Sequence, residues 1–126
     1  MRYSNLSNSF FKTYQYTQLI SGSTNFSSGN IQITKKGKMV IVTIKLYLKN
    51  ALSPAVHQLL SLQTLQDIGC SVDTTIMNNP ETLSCSSDNH HISVSVDSVQ
   101  YGLCIYPLST LSIGENFRCQ LVWFAE

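Results

Sequence analysis

The sequence has few charged residues and few strong helix formers. Charged residues make up only 12% of its 126 positions, and alanine and glutamate occur three times each. Ile, Val and Thr together number 28. Because strand-forming residues dominate, the composition argues against an all-helical fold. Disorder is disfavoured as well, since 43% of the residues are apolar and the formal net charge is only +1.

Long apolar runs and targeting signals are also missing. No segment approaches the roughly 18 consecutive apolar residues of a membrane span, so we expect no membrane insertion. The first residues, Met1 to Asn5, lack the apolar core of a signal peptide, so the sequence does not indicate secretion. At this length the composition fits one domain with one hydrophobic core.

The cysteine spacing does not match a zinc site. No Cys-x-x-Cys pair occurs, and the four cysteines are 15, 19 and 15 residues apart. We interpret them as reduced, mostly buried apolar side chains, with two disulfides as the less favoured alternative. The sequence predicts no metal and no cofactor. The four residues are Cys70, Cys85, Cys104 and Cys119.

Acidic residues are absent from the first half of the chain. Residues 1–63 contain seven basic and no acidic residues, whereas residues 64–126 contain all seven acids and one base, Arg118. The halves therefore carry charges of +7 and −6. Lysines spread singly along strands are more typical of a solvated face than of a nucleic-acid site, so we expect no nucleic-acid partner. Electrostatic matching, within one subunit or across a subunit contact, is the favoured interpretation.

Period-two alternation predicts strands at residues 40–49 and 92–96. Gly37 lies between two strand-like segments and predicts a hairpin. Residues 101–106 and 117–124 resemble a final pair of strands, residues 13–20 an opening strand, and residues 58–62 a further strand, with one short helix as the alternative there. Residues 70–77 alternate weakly, and residues 78–81 and 84–89 are predicted loops.

Taken together, these segments predict an all-β fold. We expect an antiparallel β-sandwich of jelly-roll type with seven to nine strands. Residues 25–126 would form this sandwich, and residues 1–24 would be an N-terminal lead-in strand or a linker.

One polar cluster is a candidate binding site. Asp88, Asn89, His90 and His91 lie in a predicted loop before a strand. Asp and Asn exchange hydrogen bonds with sugar hydroxyls, and a histidine ring can stack on a pyranose, so a ligand-contacting tip is one interpretation. A solvated turn is the favoured alternative. Adjacent histidines on a strand point to opposite faces, which makes this pair a poor metal chelate.

Aromatic side chains offer a second type of sugar contact. Trp123 is predicted on the inward face of its strand, where core packing is favoured over ligand contact. Tyr47 shares an outward face with Thr43 and Lys45, so its ring is an exposed anchor or a subunit contact. The other tyrosines that could contribute to a sugar platform are Tyr3, Tyr14, Tyr16, Tyr101 and Tyr106.

No catalytic motif occurs in the chain. Neither a nucleophile elbow nor a His-Glu-x-x-His motif is present, and the acids are scattered along predicted loops and exposed strand positions. We therefore expect a protein that is not an enzyme.

Four features occur in a fixed order: residues 29–42 and the strand after them, residues 92–96, residues 101–106, and the terminal Gly-Glu-Asn-Phe-x-Cys-x-Leu-Val-Trp-Phe motif at residues 114–124. This order resembles the C-terminal head domains of phage tail and baseplate receptor-binding proteins. The resemblance implies a compact β-sandwich that forms a homotrimer, sits at the tail tip or baseplate of a virion, contacts other tail proteins and docks on a host-surface saccharide or protein. It assigns no binding residue position by position.

Two other functions fit the same pattern. One is a structural virion protein, such as a decoration or tail-collar subunit, and the other is a cytokine-like or carbohydrate-binding jelly roll. Synthesis in a host cytoplasm would agree with the absence of a signal peptide. A Ser/Thr/Asn-rich surface suits wet contacts of modest affinity, and trimerisation would multiply them through effective concentration.

Overall fold

The described part of the chain contains eight strands and one short helix. The structure is a computed structural model and describes residues 11–17 and 25–126. The helix, α1 (Leu62–Asp67), lies between the fourth and fifth strands. The strands are β1 (Phe11–Tyr16), β2 (Phe26–Lys36), β3 (Met39–Leu48), β4 (His57–Leu60), β5 (Glu81–Cys85), β6 (His91–Asp97), β7 (Gly102–Pro107) and β8 (Asn116–Phe124).

The strands form two four-stranded antiparallel sheets. Sheet 1 has the order β1-β2-β3-β8, and sheet 2 has the order β4-β7-β6-β5. In sheet 2 the first strand of four lies beside the fourth, which is a Greek key. The predicted antiparallel β-sandwich of seven to nine strands is confirmed. A jelly roll is a double sheet with two Greek keys, and the described strands share with it the double sheet and the Greek key of sheet 2.

Alternation along two strands builds the core between the sheets. On β3 the even-numbered residues from Val40 to Leu48 are buried, and on β6 the buried residues are Ile92, Val94 and Val96. These burial patterns confirm the strands predicted at residues 40–49 and 92–96. Gly37, with a φ of 58°, provides the turn between β2 and β3, so the predicted hairpin is confirmed as well.

Trp123 lies in this core with no exposed surface. Its Nε1–H donates a hydrogen bond of 2.8 Å to the backbone carbonyl of Cys70, so the polar edge of the ring has a partner. The prediction that Trp123 packs in the core is confirmed. The four cysteines are free, with Cys70 and Cys104 buried and Cys85 exposed.

The predicted pairing of the last two strands is wrong. Residues 101–106 and 117–124 do form strands, but β7 pairs with β4 and β6 in sheet 2, whereas β8 pairs with β3 in sheet 1. The connection between β7 and β8 thus crosses from one sheet to the other. The weak alternation at residues 70–77 gives no strand, only an isolated bridge between Val72 and Ala125.

Residues 58–62 divide between a strand and a helix. β4 ends at Leu60, and Ser61 caps α1 by accepting a hydrogen bond of 3.1 Å from the backbone N–H of Thr64. β1 begins two residues before the predicted opening strand, and residues 18–20 of that prediction lie outside the described residues. Tyr3 also lies outside them.

β5 occupies a segment predicted mainly as loop. Its residues Glu81, Ser84 and Cys85 belong to the predicted loops at residues 78–81 and 84–89, which is an error in the sequence interpretation. β5 runs close to β8, where the Ser84 hydroxyl donates a hydrogen bond of 2.9 Å to the carbonyl of Arg118. The two sheets therefore meet along this side of the sandwich.

Candidate functional site

The predicted polar cluster forms the turn between β5 and β6. The backbone N–H of Ser86 donates to the carbonyl of His90 at 2.8 Å, and that of Asn89 donates to the carbonyl of Ser86 at 3.0 Å. Asn89 has a φ of 64°, a left-handed conformation that Asn tolerates better than most residues. Asp88, Asn89 and His91 are exposed, so the structure brings three of the four predicted residues to the surface together.

His90 points toward a buried carboxylate. Its Nδ1 lies 2.8 Å from Oε1 of Glu115, a residue that is only 2% exposed. The hydroxyl of Ser86 donates to the same oxygen at 2.5 Å, and the backbone N–H of Ser112 donates to Oε2. Burial alone would raise the pKa of Glu115, but these hydrogen bonds outweigh it and lower the pKa. The contact between His90 and Glu115 therefore joins the β5–β6 turn to the β7–β8 connection.

Tyr47 lies at the same end of the molecule but on the outer face of sheet 1. The residue is 44% exposed. Its register partner on β8 is Asn116, whose backbone N–H donates to Ser87 Oγ at 3.1 Å. One strand thus separates Tyr47 from the β5–β6 turn. The described residues contain no group of three or more His, Cys, Asp or Glu side chains that could hold a metal ion.

A concave site lies on the outer face of sheet 2, away from the predicted cluster. We call it the sheet-2 pocket, and its volume is about 260 Å³. Its floor is the row in which Ser95 lies between Glu81 on β5 and Cys104 on β7. The residues that line it are Val56, Asn79, Glu81, Ser95, Val96, Asp97, Tyr101, Cys104 and Tyr106.

Two tyrosines and two carboxylates give the sheet-2 pocket its chemistry. Tyr101 and Tyr106 are 38% and 42% exposed, so both rings present surface to solvent. Asp97 accepts hydrogen bonds through Oδ1 from the backbone N–H groups of Val99 at 2.9 Å and Gln100 at 3.0 Å. These bonds fix the turn that precedes β7.

The sheet-2 pocket lacks the parts of a nucleophilic site. Burial raises the pKa of the Cys104 thiol, so the thiol stays protonated at neutral pH. Its Sγ lies 3.6 Å from Ser95 Oγ, and no histidine or lysine is among the lining residues to act as a base. The arrangement suits stacking and hydrogen bonding.

The outer face of sheet 1 has a different character. Cross-strand register places the side chains of its apolar end in two adjacent rows, Met39 with Phe124 and Ile41 with Val122. Phe11 lies further along the first row, beyond Lys36, whose Nζ is 5.2 Å from the centre of the Phe11 ring. Towards the other end, Lys45 lies directly opposite Arg118. We call this surface, including both ends, the sheet-1 face.

The charge difference between the chain halves becomes a difference between the sheets. The strands of sheet 1 carry five basic and no acidic residues, whereas those of sheet 2 carry two acids and no Lys or Arg. Within the described ranges the one ion pair joins His90 and Glu115, both from the acidic half. Matching between the halves by direct ion pairs is therefore not seen in the described part of the subunit.

Comparison with known proteins gives no relative. The chain matches no protein-family model, no curated protein and no solved structure. In the described residues, no helix has the length and apolar character to cross a membrane.

Sequence reasoning missed most of the sheet-2 pocket. Tyr101 and Tyr106 are among the tyrosines that the sequence offers for a sugar platform, but the sequence predicts a loop at Glu81, and nothing in the chain order places Glu81 beside them. The available signal was the outward-facing set of Ser93, Ser95 and Asp97 on β6. Glu115 gave no signal, because it lies in a turn 25 residues from His90.

Proposed function

We propose that this chain is a non-catalytic receptor-binding module that holds a saccharide in the sheet-2 pocket. The observation that carries the proposal is the pairing of two half-exposed tyrosine rings with carboxylate, amide and hydroxyl groups around one concavity. Aromatic rings pack against the apolar faces of sugar rings. Carboxylate and amide oxygens accept hydrogen bonds from sugar hydroxyls.

The size of the site favours a small group. Ligand pockets usually measure about 300–1,000 Å³, so 260 Å³ suits one sugar ring of a longer glycan. A pocket of this size gives modest affinity on its own. Several copies in one assembly would raise the avidity without new contacts.

The proposed setting follows the resemblance to phage tail and baseplate receptor-binding heads. In that setting the protein is a homotrimer on a virion and recognises a host-surface saccharide. The sheet-1 face supports self-association, because Val122 and Phe124 are large apolar side chains more than 40% exposed on the outside of a sheet. The sheet-2 pocket, on the opposite sheet, would stay accessible.

The test is binding of labelled protein to bacterial cells and to an array of surface polysaccharides. Tyr101→Ala and Tyr106→Ala should each weaken binding by about tenfold or more, because each removes an aromatic anchor. Tyr47→Ala is the matched control, since it removes an equally exposed ring from the other sheet. It should change binding by less than about twofold.

The predicted cluster provides the competing location. Asp88→Ala and His91→Ala should leave binding unchanged if the sheet-2 pocket is the site. Loss of binding in these two variants, with Tyr101→Ala and Tyr106→Ala unaffected, would move the site to the β5–β6 turn. Loss of binding in Tyr47→Ala alone would move it to the outer face of sheet 1.

A structural virion subunit is the second candidate, and the apolar sheet-1 face favours it. Such a protein would bind virion components through that face and would not adsorb to cells or polysaccharides. Adsorption to cells that depends on Tyr101 or Tyr106 would contradict this second candidate.

A further inference from the structure

We infer that the ligand of the sheet-2 pocket carries an ammonium group, as an amino sugar does, and that the pocket discriminates against acidic sugars. This inference rests on the proposed saccharide function and narrows it to one chemical class. Three features of the pocket carry it: the sign of its charge, the lack of partners around Glu81, and the exposed tyrosine rings.

The first feature is an uncompensated negative charge. Glu81 and Asp97 are the ionisable carboxylates that line the pocket, and no lysine, arginine or histidine is among the lining residues. The lysines and the arginine of the strands all lie in sheet 1, on the other side of the core. Two carboxylates without a counter-charge attract a cation and repel a carboxylate-bearing sugar.

The second feature is the unoccupied hydrogen-bonding capacity of these acids. In the described part of the chain, the exposed side chain of Glu81 has no hydrogen-bond or ion-pair partner. Asp97 uses Oδ1 for two backbone N–H groups, which leaves Oδ2 to accept from a ligand. An ammonium group has three donors and no acceptor, so it suits a site that presents carboxylate oxygens.

The third feature is the pair of aromatic rings. Tyr101 and Tyr106 line the same concavity as the carboxylates, and each keeps more than a third of its surface exposed. A cation over the face of a tyrosine ring is stabilised by the negative charge of the π-system. Rings and carboxylates therefore favour the same sign of charge on the ligand.

Three sugars that differ mainly in charge test the inference: glucosamine, N-acetylglucosamine and glucuronate. Binding to the ¹⁵N-labelled full chain is followed by NMR shifts of the amides of β6 and β7 at about pH 6, where an amine is mostly protonated. Glucosamine should bind tightest and glucuronate weakest, with at least about a tenfold difference between their dissociation constants. The difference should shrink as salt is added.

Charge-neutral variants connect the preference to the pocket. In Glu81→Gln, the ratio of the glucuronate dissociation constant to the glucosamine dissociation constant should fall to less than half of its value in the unmodified protein. Asp88→Asn is the matched control, because it removes the same charge from an exposed residue outside the pocket, and it should leave the ratio unchanged.

The possible failures are distinguishable. If the sugars bind at these amides with affinities that do not follow their charge, or if Glu81→Gln leaves the ratio of the dissociation constants unchanged, the inference is wrong and the saccharide function stands. If glucuronate binds tightest, the inference is reversed. If none of the three sugars shifts the pocket amides, the proposed saccharide function fails and the inference fails with it.

Discussion

At the scale of single residues, the carboxylate of Glu115 joins two connections that are far apart in the chain. It accepts hydrogen bonds from Ser86 and His90 in the β5–β6 turn and from Ser112 in the β7–β8 connection. A buried carboxylate is tolerated only when its oxygens are paired in this way. The turn that holds the predicted cluster is therefore positioned by a residue outside it.

Replacing Glu115 by Gln should destabilise the fold by about 1–3 kcal/mol, because it turns charge-assisted hydrogen bonds into neutral ones and leaves buried groups poorly paired. Urea denaturation measures the loss. Glu126→Gln is the control, since Glu126 is exposed, and it should cost less than about 0.5 kcal/mol. Equal losses in the two variants would show that the buried network contributes nothing.

The same carboxylate predicts how stability depends on pH. The pKa of Glu115 in the folded protein is lowered from its ordinary 4.5, so its stabilising effect is complete above that value. The effect is lost as the pH falls below 4.5 through the folded pKa. The free-energy difference between the unmodified protein and Glu115→Gln should therefore shrink across that acidic window. A difference that stays constant from neutral pH to below the folded pKa would contradict the assignment.

At the scale of elements, alternation identified the strands whose buried face is apolar. β3 and β6 were predictable because Val, Ile and Leu occupy every inward position. β5 was not, because its pattern is reversed: Ser84 points inward while Leu83, 61% exposed, points outward. The Ser84 hydroxyl finds its partner on β8, a contact that depends on packing and not on local sequence.

The sheet-2 pocket was beyond sequence reasoning for a related reason. Tyr101 and Tyr106 are five positions apart, so strict alternation would place them on opposite faces. Both line the pocket because Gly102, between them, has a φ of 75° and interrupts the alternation. β5 also lines the pocket, through Glu81, because it pairs with β6 in sheet 2. Local sequence does not show this pairing.

Gly102 offers a test of this element. A Cβ at this position would lie 2.5 Å from the carbonyl oxygen of Leu60 and from the backbone N of Leu62, so Gly102→Ala must displace β4 or the start of β7. We expect a loss of about 2–4 kcal/mol from the left-handed φ and the overlap together.

Gly114→Ala is the control for Gly102→Ala, measured by the same denaturation. Gly114 also has a positive φ, of 89°, but a Cβ there meets nothing within 4 Å. Gly114→Ala should therefore lose only about 1–2 kcal/mol of stability, which is the cost of a left-handed φ in a residue with a Cβ. If the two alanine variants lose the same stability, the close approach of β4 to Gly102 is wrong.

At the scale of the whole molecule, the chain order of the charges becomes a spatial order. The first three strands carry four lysines and build sheet 1 with β8, whereas β4 to β7, which carry Glu81 and Asp97 and no Lys or Arg, build sheet 2. The domain therefore presents a basic and apolar face on one side and an acidic pocket on the other. One face can serve assembly while the other binds a ligand.

Substitutions on the sheet-1 face test the proposed homotrimer. Light scattering after gel filtration should give three times 14.1 kDa for the unmodified chain. Val122→Glu should dissociate it, because the variant places a charge among the exposed apolar side chains of that face, where Ile41 is the register partner. Leu83→Glu makes the same kind of change on sheet 2 and should leave the trimer intact. A monomeric unmodified chain would contradict the trimer. Dissociation by Leu83→Glu alone would place the subunit contact on sheet 2. A contact there would compete with the ligand for access to the pocket.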